Sequence, residues 1–136
     1  MGSSRAKSIL VVDDDAAVGE SFAIFLTAEG YRTQIATNGE EALATMEEFL
    51  PDLVITDVIM PRMDGHALMA AMQRDARFAA IPVLLMSGAP DFAREAAAAD
   101  EVRLQKPFSL EILVGLIEQM TARARSLSRA QQPSNE

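Results

Sequence analysis

One stretch of the sequence contains the unit from which the whole chain is built: Pro51–Gly65, which reads PDLVITDVIMPRMDG. After the proline and its neighbouring aspartate comes a run of apolar and β-branched residues, which is typical of a buried strand and ends at Asp57. The turn that follows leads to a helix predicted over about residues 66–75. The unit is therefore a strand, a turn and a helix, with a carboxylate where the strand ends.

The same order of strand and helix occurs five times along the chain. Strands are predicted at 9–12, 31–36, 53–56, 82–86 and 102–105, and helices at about 16–29, 37–48, 66–75, 91–100 and from 109 past 120. Asp15 is the predicted N-cap of the first helix and Gly30 its stop, while Thr37 and Glu40 have the spacing of a capping box for the second. Parallel strands joined by helical crossovers form a sheet covered on both faces, so the predicted fold class is α/β, a doubly wound (βα)5 sandwich.

The composition excludes several classes of function. The chain has 136 residues, with 12 Lys and Arg against 20 Asp and Glu, a net charge of −8, one His and no Cys. These counts exclude disulfides, thiolate metal sites, a Cys nucleophile and a multi-His metal cage. The acidic balance argues against direct nucleic-acid binding and suits a cation site or basic protein partners. With no long apolar span and no signal peptide, we expect a cytoplasmic protein without membrane insertion.

The length suits a single folded domain. We expect a flexible N-terminus at 1–6, the domain at 7–124 and a polar C-terminal tail at 125–136 that frays. The sequence after the last predicted helix contains no output domain. We favour a single-domain protein acting through protein contacts, with a piece of a longer protein as the alternative.

Charged and hydroxyl side chains follow four of the five predicted strands. The first strand ends at Asp13 and Asp14, the third at Asp57, the fourth at Ser87 and the fifth at Lys106. Each residue alone is more often a turn residue, a cap or a solvated side chain, but ligands of such sheets bind where these strand ends meet. Clustered carboxylates repel each other, and a hard cation such as Mg²⁺ relieves the repulsion. A hydroxyl and an ammonium group beside it could hold a phosphoryl group, with a carboxylate as nucleophile.

The sequence resembles the receiver domains of bacterial two-component response regulators, including the single-domain chemotaxis regulator. Five segments carry the resemblance, which covers about residues 7–122: ILVVDDD (9–15), NGEEAL (38–43), PDLVITDVIMPRMDG (51–65), VLLMSG (83–88) and KPF (106–108). The resemblance implies a flavodoxin-like sheet of five parallel strands in the order 2-1-3-4-5. It also implies two kinds of partner: a sensor histidine kinase or histidine phosphotransfer protein as phosphoryl donor, and a downstream protein. It leaves a homodimer open.

The resemblance also implies a role for each residue of the site. Asp57 would be the nucleophile that accepts a phosphoryl group from a phosphohistidine, with Lys106 and Ser87 holding its oxygens. The Lys106–Pro107 bond is typically cis in the family. The implied Mg²⁺ ligands are Asp14, Asp13 (through water), Asp57 and the backbone carbonyl of Ile59. The domain would be a signalling module that catalyses its own phosphorylation and dephosphorylation, and not an enzyme in the ordinary sense.

One position departs from the family pattern. Arg103 stands three residues before Lys106, where the family usually has a Tyr or Phe that rotates inward on activation. A guanidinium is costly to bury in an apolar pocket, so we predict that the aromatic switch is absent or altered. We further predict that Arg103 stays outside, on a partner-facing surface of the fourth helix, fifth strand and last helix. The alternative is a solvated strand residue without a role.

Two other functions remain as alternatives. A pseudo-receiver would only bind partners, although all five site side chains are present in this sequence. A haloacid-dehalogenase-like phosphatase also uses an Asp nucleophile at a strand end with Mg²⁺. That family carries a second Asp two residues later, where this chain has Ile59.

Overall fold

The computed structural model describes residues 6–90, 92 and 101–131, with side chains up to residue 122. The elements are β1 (Ser8–Val12), α1 (Ala16–Ala28), β2 (Arg32–Ala36), α2 (Gly39–Glu48), β3 (Leu53–Asp57), α3 (Gly65–Gln73), β4 (Val83–Ser87), β5 (Val102–Gln105) and α4 (Leu110–Gln131). The helix predicted at 91–100 lies outside the described residues, except for Phe92. Among the described residues, no helix is both long enough and apolar enough to cross a membrane.

The strands form one parallel sheet in the order β2-β1-β3-β4-β5, which confirms the predicted fold class and strand order. From β1 the chain first adds β2 on one side and then crosses to add β3 on the other. The order therefore reverses between β1 and β3, and doubly wound sheets bind ligands at the carboxyl ends of the strands beside such a reversal. The register pairs Val12 with Thr56, so the residues that follow these strands emerge side by side.

The two faces of the sheet bury two separate apolar cores. Leu10 and Val12 of β1 pack into a cluster with side chains of α2 and α3. Ile9 and Val11 of the same strand pack into a second cluster, with Leu26 of α1 and side chains of α4. Because successive strand side chains point to opposite faces, a strand covered on both sides is apolar at every position. The uninterrupted apolar runs of the sequence have this origin.

The start of α2 differs from the prediction by one residue. The N-cap is Asn38, whose Oδ1 accepts a hydrogen bond of 2.8 Å from the backbone N–H of Glu41. The carboxylate that bonds back to the residues before the helix also belongs to Glu41. It accepts a bond of 2.8 Å from the hydroxyl of Thr37. The predicted capping box of Thr37 and Glu40 was therefore wrong, because Asn38 occupies the cap and Glu40 faces Arg62 at 3.6 Å. The other predicted cap, Asp15 on α1, is confirmed.

The last helix is longer than expected. Its backbone continues to Gln131, through the first part of the segment 125–136 that we predicted to fray as a polar tail. The first turns of this helix pack against the sheet, where Leu113 and Ile117 are fully buried. The domain boundaries at 1–6, 7–124 and 125–136 stay predictions.

Candidate functional site

Three carboxylates meet where the strand order reverses. Oxygen atoms of Asp13, Asp14 and Asp57 lie within 4.8 Å of one another. Asp13 and Asp14 directly follow β1, and Asp57 is the last residue of β3, the neighbouring strand. The backbone N–H of Asp13 donates a bond of 3.0 Å to the carbonyl of Ala36, so β2 also fixes this corner. The predicted cluster of acidic residues is thus assembled by the sheet.

Asp13 is the most confined of the three carboxylates. Only 2% of its surface is exposed, and one oxygen, Oδ1, accepts a bond of 2.9 Å from the backbone N–H of Asp15. The other oxygen, Oδ2, is buried and has no hydrogen-bond partner among the described residues. Burial, together with the neighbouring charge of Asp57, raises the pKa of Asp13 from 3.8 to about 6. A buried carboxylate oxygen without a donor fits a cation held by oxygen ligands.

One ammonium group faces this cluster. Lys106 Nζ lies 2.9 Å from Asp57 Oδ1, although Lys106 follows β5, which is two strands away from β3. The backbone N–H of Lys106 donates a bond of 2.8 Å to the carbonyl of Ser87, which fixes the start of the Lys106 loop against the end of β4. The Lys106–Pro107 peptide bond is cis, as the family resemblance implied.

Ser87 ends β4, between the strands that carry Asp57 and Lys106. Its side chain is buried, and its Oγ accepts a bond of 3.0 Å from the backbone N–H of Ala89. A serine hydroxyl has two acceptor lone pairs and one donor hydrogen, so this bond leaves the hydrogen able to point elsewhere. The hydroxyl is thereby held by its oxygen at the same edge as the carboxylates.

The turn after Asp57 explains why glycine ends the motif. The backbone N–H of Gly65 donates a bond of 2.8 Å to the carbonyl of Val58, which brings the first turn of α3 against the end of β3. A Cβ atom at Gly65 would collide with the backbone carbonyl of Asp57. Only glycine has the space for this close approach. Ile59 lies in the same turn, with its side chain 74% exposed.

Arg103 does not lie where we predicted. Its side chain is 11% exposed and packs inward, so the expectation of an outward, partner-facing arginine was wrong, as was the solvated alternative. Its Nε donates a bond of 2.6 Å to Glu101 Oε2, and its Nη1 donates one of 3.0 Å to the carbonyl of Phe92. The guanidinium also stacks over the Phe92 ring, 4.7 Å from its centroid. A carboxylate, a carbonyl and a ring face together make burial of this cation tolerable.

Sequence reasoning missed one further residue beside the site. Gln105 Nε2 donates a bond of 2.6 Å to the carbonyl of Ala89, the residue whose N–H holds Ser87. No local pattern marks Gln105, because its partner is 16 residues away on a loop. The only available signal was its position, immediately before Lys106.

The charges of the site are unbalanced. Three carboxylates face one ammonium group, and both members of the Lys106–Asp57 pair are partly exposed. An excess of negative charge beside a polar, partly solvated edge favours a divalent cation and, with it, an anionic ligand such as a phosphoryl group. Asp57 alone of the three carboxylates contacts the ammonium group in this structure. This pairing distinguishes Asp57 from the other two carboxylates of the cluster.

The fold is a doubly wound α/β sheet, and three carboxylates and one lysine meet at the point where its strand order reverses. The family model described as response regulator receiver domain matches residues 9–118. The chain therefore belongs to the receiver domain family of two-component response regulators.

Similar proteins use this domain in different settings. The DNA-binding dual master transcriptional regulator RpaA of Synechocystis is 33% identical over 89% of this chain and 48% of its own length. The receiver domain of a signal transduction histidine kinase from Syntrophus aciditrophicus is 29% identical, with a TM-score of 0.77, over 96% of this chain and 98% of that one. Chemotaxis response regulator CheY4 of Vibrio cholerae is 28% identical, with a TM-score of 0.74, over 85% and 99%.

These settings bear on the output of the domain. The chain spans about half the length of the curated relatives it matches. Because one relative is named as DNA-binding, the expectation that no nucleic acid is contacted stays a prediction about these 136 residues alone.

Proposed function

We propose that this receiver domain accepts a phosphoryl group on Asp57, in a Mg²⁺-dependent reaction, from a phosphohistidine of a sensor kinase or phosphotransfer protein. One observation carries the proposal. Lys106 Nζ lies 2.9 Å from Asp57 Oδ1, in a site where two further carboxylates lie within 4.8 Å. Asp57 is thus the carboxylate that contacts the ammonium group and also lies beside the other two carboxylates.

The residues present fit a bound Mg²⁺. The donors are carboxylate oxygens, which this cation prefers, and Asp13 Oδ2 is buried without a protein donor among the described residues. Asp13, Asp14 and Asp57 would hold the ion, together with the backbone carbonyl of Ile59. When bound, Mg²⁺ neutralises negative charge on the carboxylates and on the phosphoryl oxygens.

The chemistry expected of the chain's own residues is a single displacement. An oxygen of Asp57 attacks the phosphorus atom while the phosphorus–nitrogen bond to the donor histidine breaks, and the departing imidazole nitrogen keeps the electron pair of that bond, so that a ring protonated at its other nitrogen leaves as neutral imidazole. Lys106 exchanges its contact with the carboxylate for contact with the phosphoryl oxygens, and the Ser87 hydroxyl donates its hydrogen to one of them. Hydrolysis later returns the carboxylate. The reaction class requires mainly positioning and charge neutralisation.

Phosphorylation would be read out through the protein surface. The phosphoryl group adds about −1.5 to −2 charge and three strong acceptors at one point. If one conformation of the loops around Ser87 and Lys106 holds this group better, its population rises. The expected readers are a downstream protein or further domains of a longer chain.

The test is mass spectrometry of the intact protein after incubation with acetyl phosphate and Mg²⁺. Wild type is expected to gain one phosphoryl group, and Asp57→Asn none, because an amide is a poor nucleophile. Asp52→Asn is the matched control: it lies at the other end of the same strand, where it accepts a bond of 2.7 Å from the Ser8 N–H that an amide oxygen also accepts. It is expected to behave as wild type.

The outcomes separate the alternatives. A phosphoryl group retained by Asp57→Asn would contradict the assignment of the acceptor. A wild-type chain that gains none under any Mg²⁺ concentration would support a pseudo-receiver that only binds partners. Turnover of a generic phosphate ester would support a phosphatase, a function for which Ile59 provides no second carboxylate.

A further inference from the structure

The loop that follows Ser87, described at residues 88–90 and 92, accepts hydrogen bonds from two side chains of β5 within the described part of the chain. Gln105 Nε2 donates a bond of 2.6 Å to the carbonyl of Ala89, and Arg103 Nη1 donates one of 3.0 Å to the carbonyl of Phe92. Arg103 and Gln105 are two residues apart on one strand, so their side chains leave the same face of the sheet. Both use the backbone of the loop as their acceptor.

The first attachment continues directly into the site. The backbone carbonyl of Ala89 accepts the bond from Gln105, and the backbone N–H of Ala89 donates a bond of 3.0 Å to the Ser87 Oγ. Gln105 is also the neighbour of Lys106, whose backbone N–H bonds the Ser87 carbonyl at 2.8 Å. The hydroxyl, the loop and the lysine therefore form one connected set of hydrogen bonds.

The second attachment fixes the far end of the loop. Phe92 is 4% exposed and belongs to the core between the sheet, α2 and α3. Arg103 bonds its carbonyl and stacks on its ring, while Glu101, 6% exposed, accepts from the guanidinium at 2.6 Å. The ion pair with Glu101 fixes the guanidinium, so moving the loop would cost the hydrogen bond to the Phe92 carbonyl and the contact with the Phe92 ring.

We propose that Gln105 and Arg103 are positioning residues that hold the loop after β4, and through it the Ser87 hydroxyl, in the geometry that receives a phosphoryl oxygen. The proposal rests on the function proposed above. Gln105 acts at the near end of the loop through Ala89, and Arg103 at the far end through Phe92. Neither side chain touches the phosphoryl group itself.

The test uses the initial rate of phosphorylation by acetyl phosphate at saturating Mg²⁺. Gln105→Met keeps the length of the side chain and its lack of charge but removes the donor. Its rate is expected to fall about three- to tenfold, the effect of one lost hydrogen bond. Arg103→Lys keeps the charge without the fork of donors and is expected to lose about two- to fivefold. The Mg²⁺ affinity is expected to stay unchanged, because neither side chain is one of the carboxylates of the acidic cluster, Asp13, Asp14 and Asp57.

Two controls come from the opposite edge of the sheet. Gln34 and Arg32 lie on β2, the other edge strand, and both are exposed. Gln34→Met and Arg32→Lys repeat the same chemical changes far from the loop, and both are expected to keep the wild-type rate.

A double-mutant cycle separates positioning from general stability. If Gln105 acts through Ser87, Gln105→Met changes the rate less than about twofold once Ser87→Ala is present, because coupled effects do not add. An undiminished effect in that background would overturn the proposal. So would a Gln105→Met variant whose Mg²⁺ affinity falls together with its rate.

A second measurement does not depend on phosphorylation. Hydrogen exchange at the Ala89 amide is expected to be faster in Gln105→Met than in Gln34→Met, because the loop is released. Equal exchange would overturn the positioning role even if the wild-type chain accepts no phosphoryl group. The proposed function, by contrast, is contradicted when the wild type gains no mass or when Asp57→Asn still gains it.

Discussion

Two ion pairs, one at each end of β5, differ in their exposure and in their surroundings. The Lys106–Asp57 pair is 2.9 Å long, and its side chains are 33% and 16% exposed. The Arg103–Glu101 pair is 2.6 Å long, and its side chains are 11% and 6% exposed. The first pair shares its surroundings with two more carboxylates, whereas the second adds a carbonyl and a ring around its cation.

The difference indicates what each pair can do. The Lys106–Asp57 pair is partly exposed, and the two neighbouring carboxylates give its surroundings an excess of negative charge. Under the proposed function, Lys106 and Asp57 therefore exchange their mutual contact for contacts with a phosphoryl group and a cation. The Arg103–Glu101 pair is largely buried, and Glu101 also lies 3.5 Å from His66 Nε2, so separating the pair is costly. One pair is suited to chemistry and the other to holding a loop.

The largest effect is expected from breaking the buried pair. Arg103→Met leaves the Glu101 carboxylate buried without its guanidinium, and the free energy of unfolding is expected to fall by about 3–5 kcal/mol. Urea unfolding followed by circular dichroism measures this change. The double variant Arg103→Met/Glu101→Gln is expected to recover part of the loss, because it removes the buried negative charge that has lost its guanidinium partner. A single variant within about 1 kcal/mol of wild type would show that the pair has no structural role.

A somewhat smaller effect is expected from relieving the acidic cluster. The pKa of Asp13 is raised from 3.8 to about 6, mainly by burial, so between these values the folded chain holds a proton that the unfolded chain does not. Stability without metal therefore falls as the pH rises from about 4 to about 6 and stays low above that. Asp13→Asn is expected to gain up to about 3 kcal/mol at pH 7.5.

The pH dependence makes this prediction specific. Because Asp13 is protonated in both states below about pH 4, the advantage of Asp13→Asn is expected to disappear there. Thermal unfolding in a chelator at pH 7.5 and pH 3.5 measures both values. An advantage of the same size at both pH values would indicate improved packing and contradict the electrostatic cause.

The smallest free-energy change is expected for the partly exposed Lys106–Asp57 pair. It concerns the activation free energy of phosphorylation, so it still corresponds to a large change in rate. Lys106→Met removes a charge-assisted bond to the phosphoryl group and is expected to lower the phosphorylation rate about 10- to 100-fold. Mg²⁺ is expected to bind more tightly, because one positive charge leaves the site. Isothermal titration calorimetry measures the Mg²⁺ affinity of the variant and of the wild type.

The chain offers a natural control for this variant, since it contains two lysines. Lys7 lies at the other end of the sheet, where its Nζ donates a bond of 2.9 Å to the Thr121 hydroxyl. Lys7→Met is expected to leave the phosphorylation rate unchanged. Equal rates for Lys106→Met and Lys7→Met would contradict the role of Lys106.

The sequence was sufficient to predict the fold and the acidic cluster, because both depend on short-range patterns. Apolar runs mark the strands, and a residue that directly follows a strand must lie at the carboxyl edge of a parallel sheet. Asp13, Asp14 and Asp57 could therefore be assigned to one edge before any distance was known. The strand order and the role of each residue came from resemblance to a family.

The sequence was not sufficient where long-range partners decide. Arg103 was expected to point outward because burying a guanidinium is costly, and the compensating groups, Glu101 and the Phe92 carbonyl, were not visible as partners. Gln105 was missed for the same reason. At α2 the error was local: both Thr37 and Asn38 can cap a helix, and hydrogen-bond geometry decided between neighbouring residues.

The assembly of the site from separate strands has a consequence for folding. Asp13, Asp57 and Lys106 are contributed by β1, β3 and β5, and they meet only after every intervening strand has paired. The three carboxylates need only β1 and β3 to pair, whereas Lys106 joins them only when β4 and β5 are also in place. A cation bound by the three carboxylates under the proposed function would stabilise the folded chain, and raising its concentration would raise the unfolding midpoint by mass action. Ligand affinity and conformational stability of this chain are in this way one linked equilibrium.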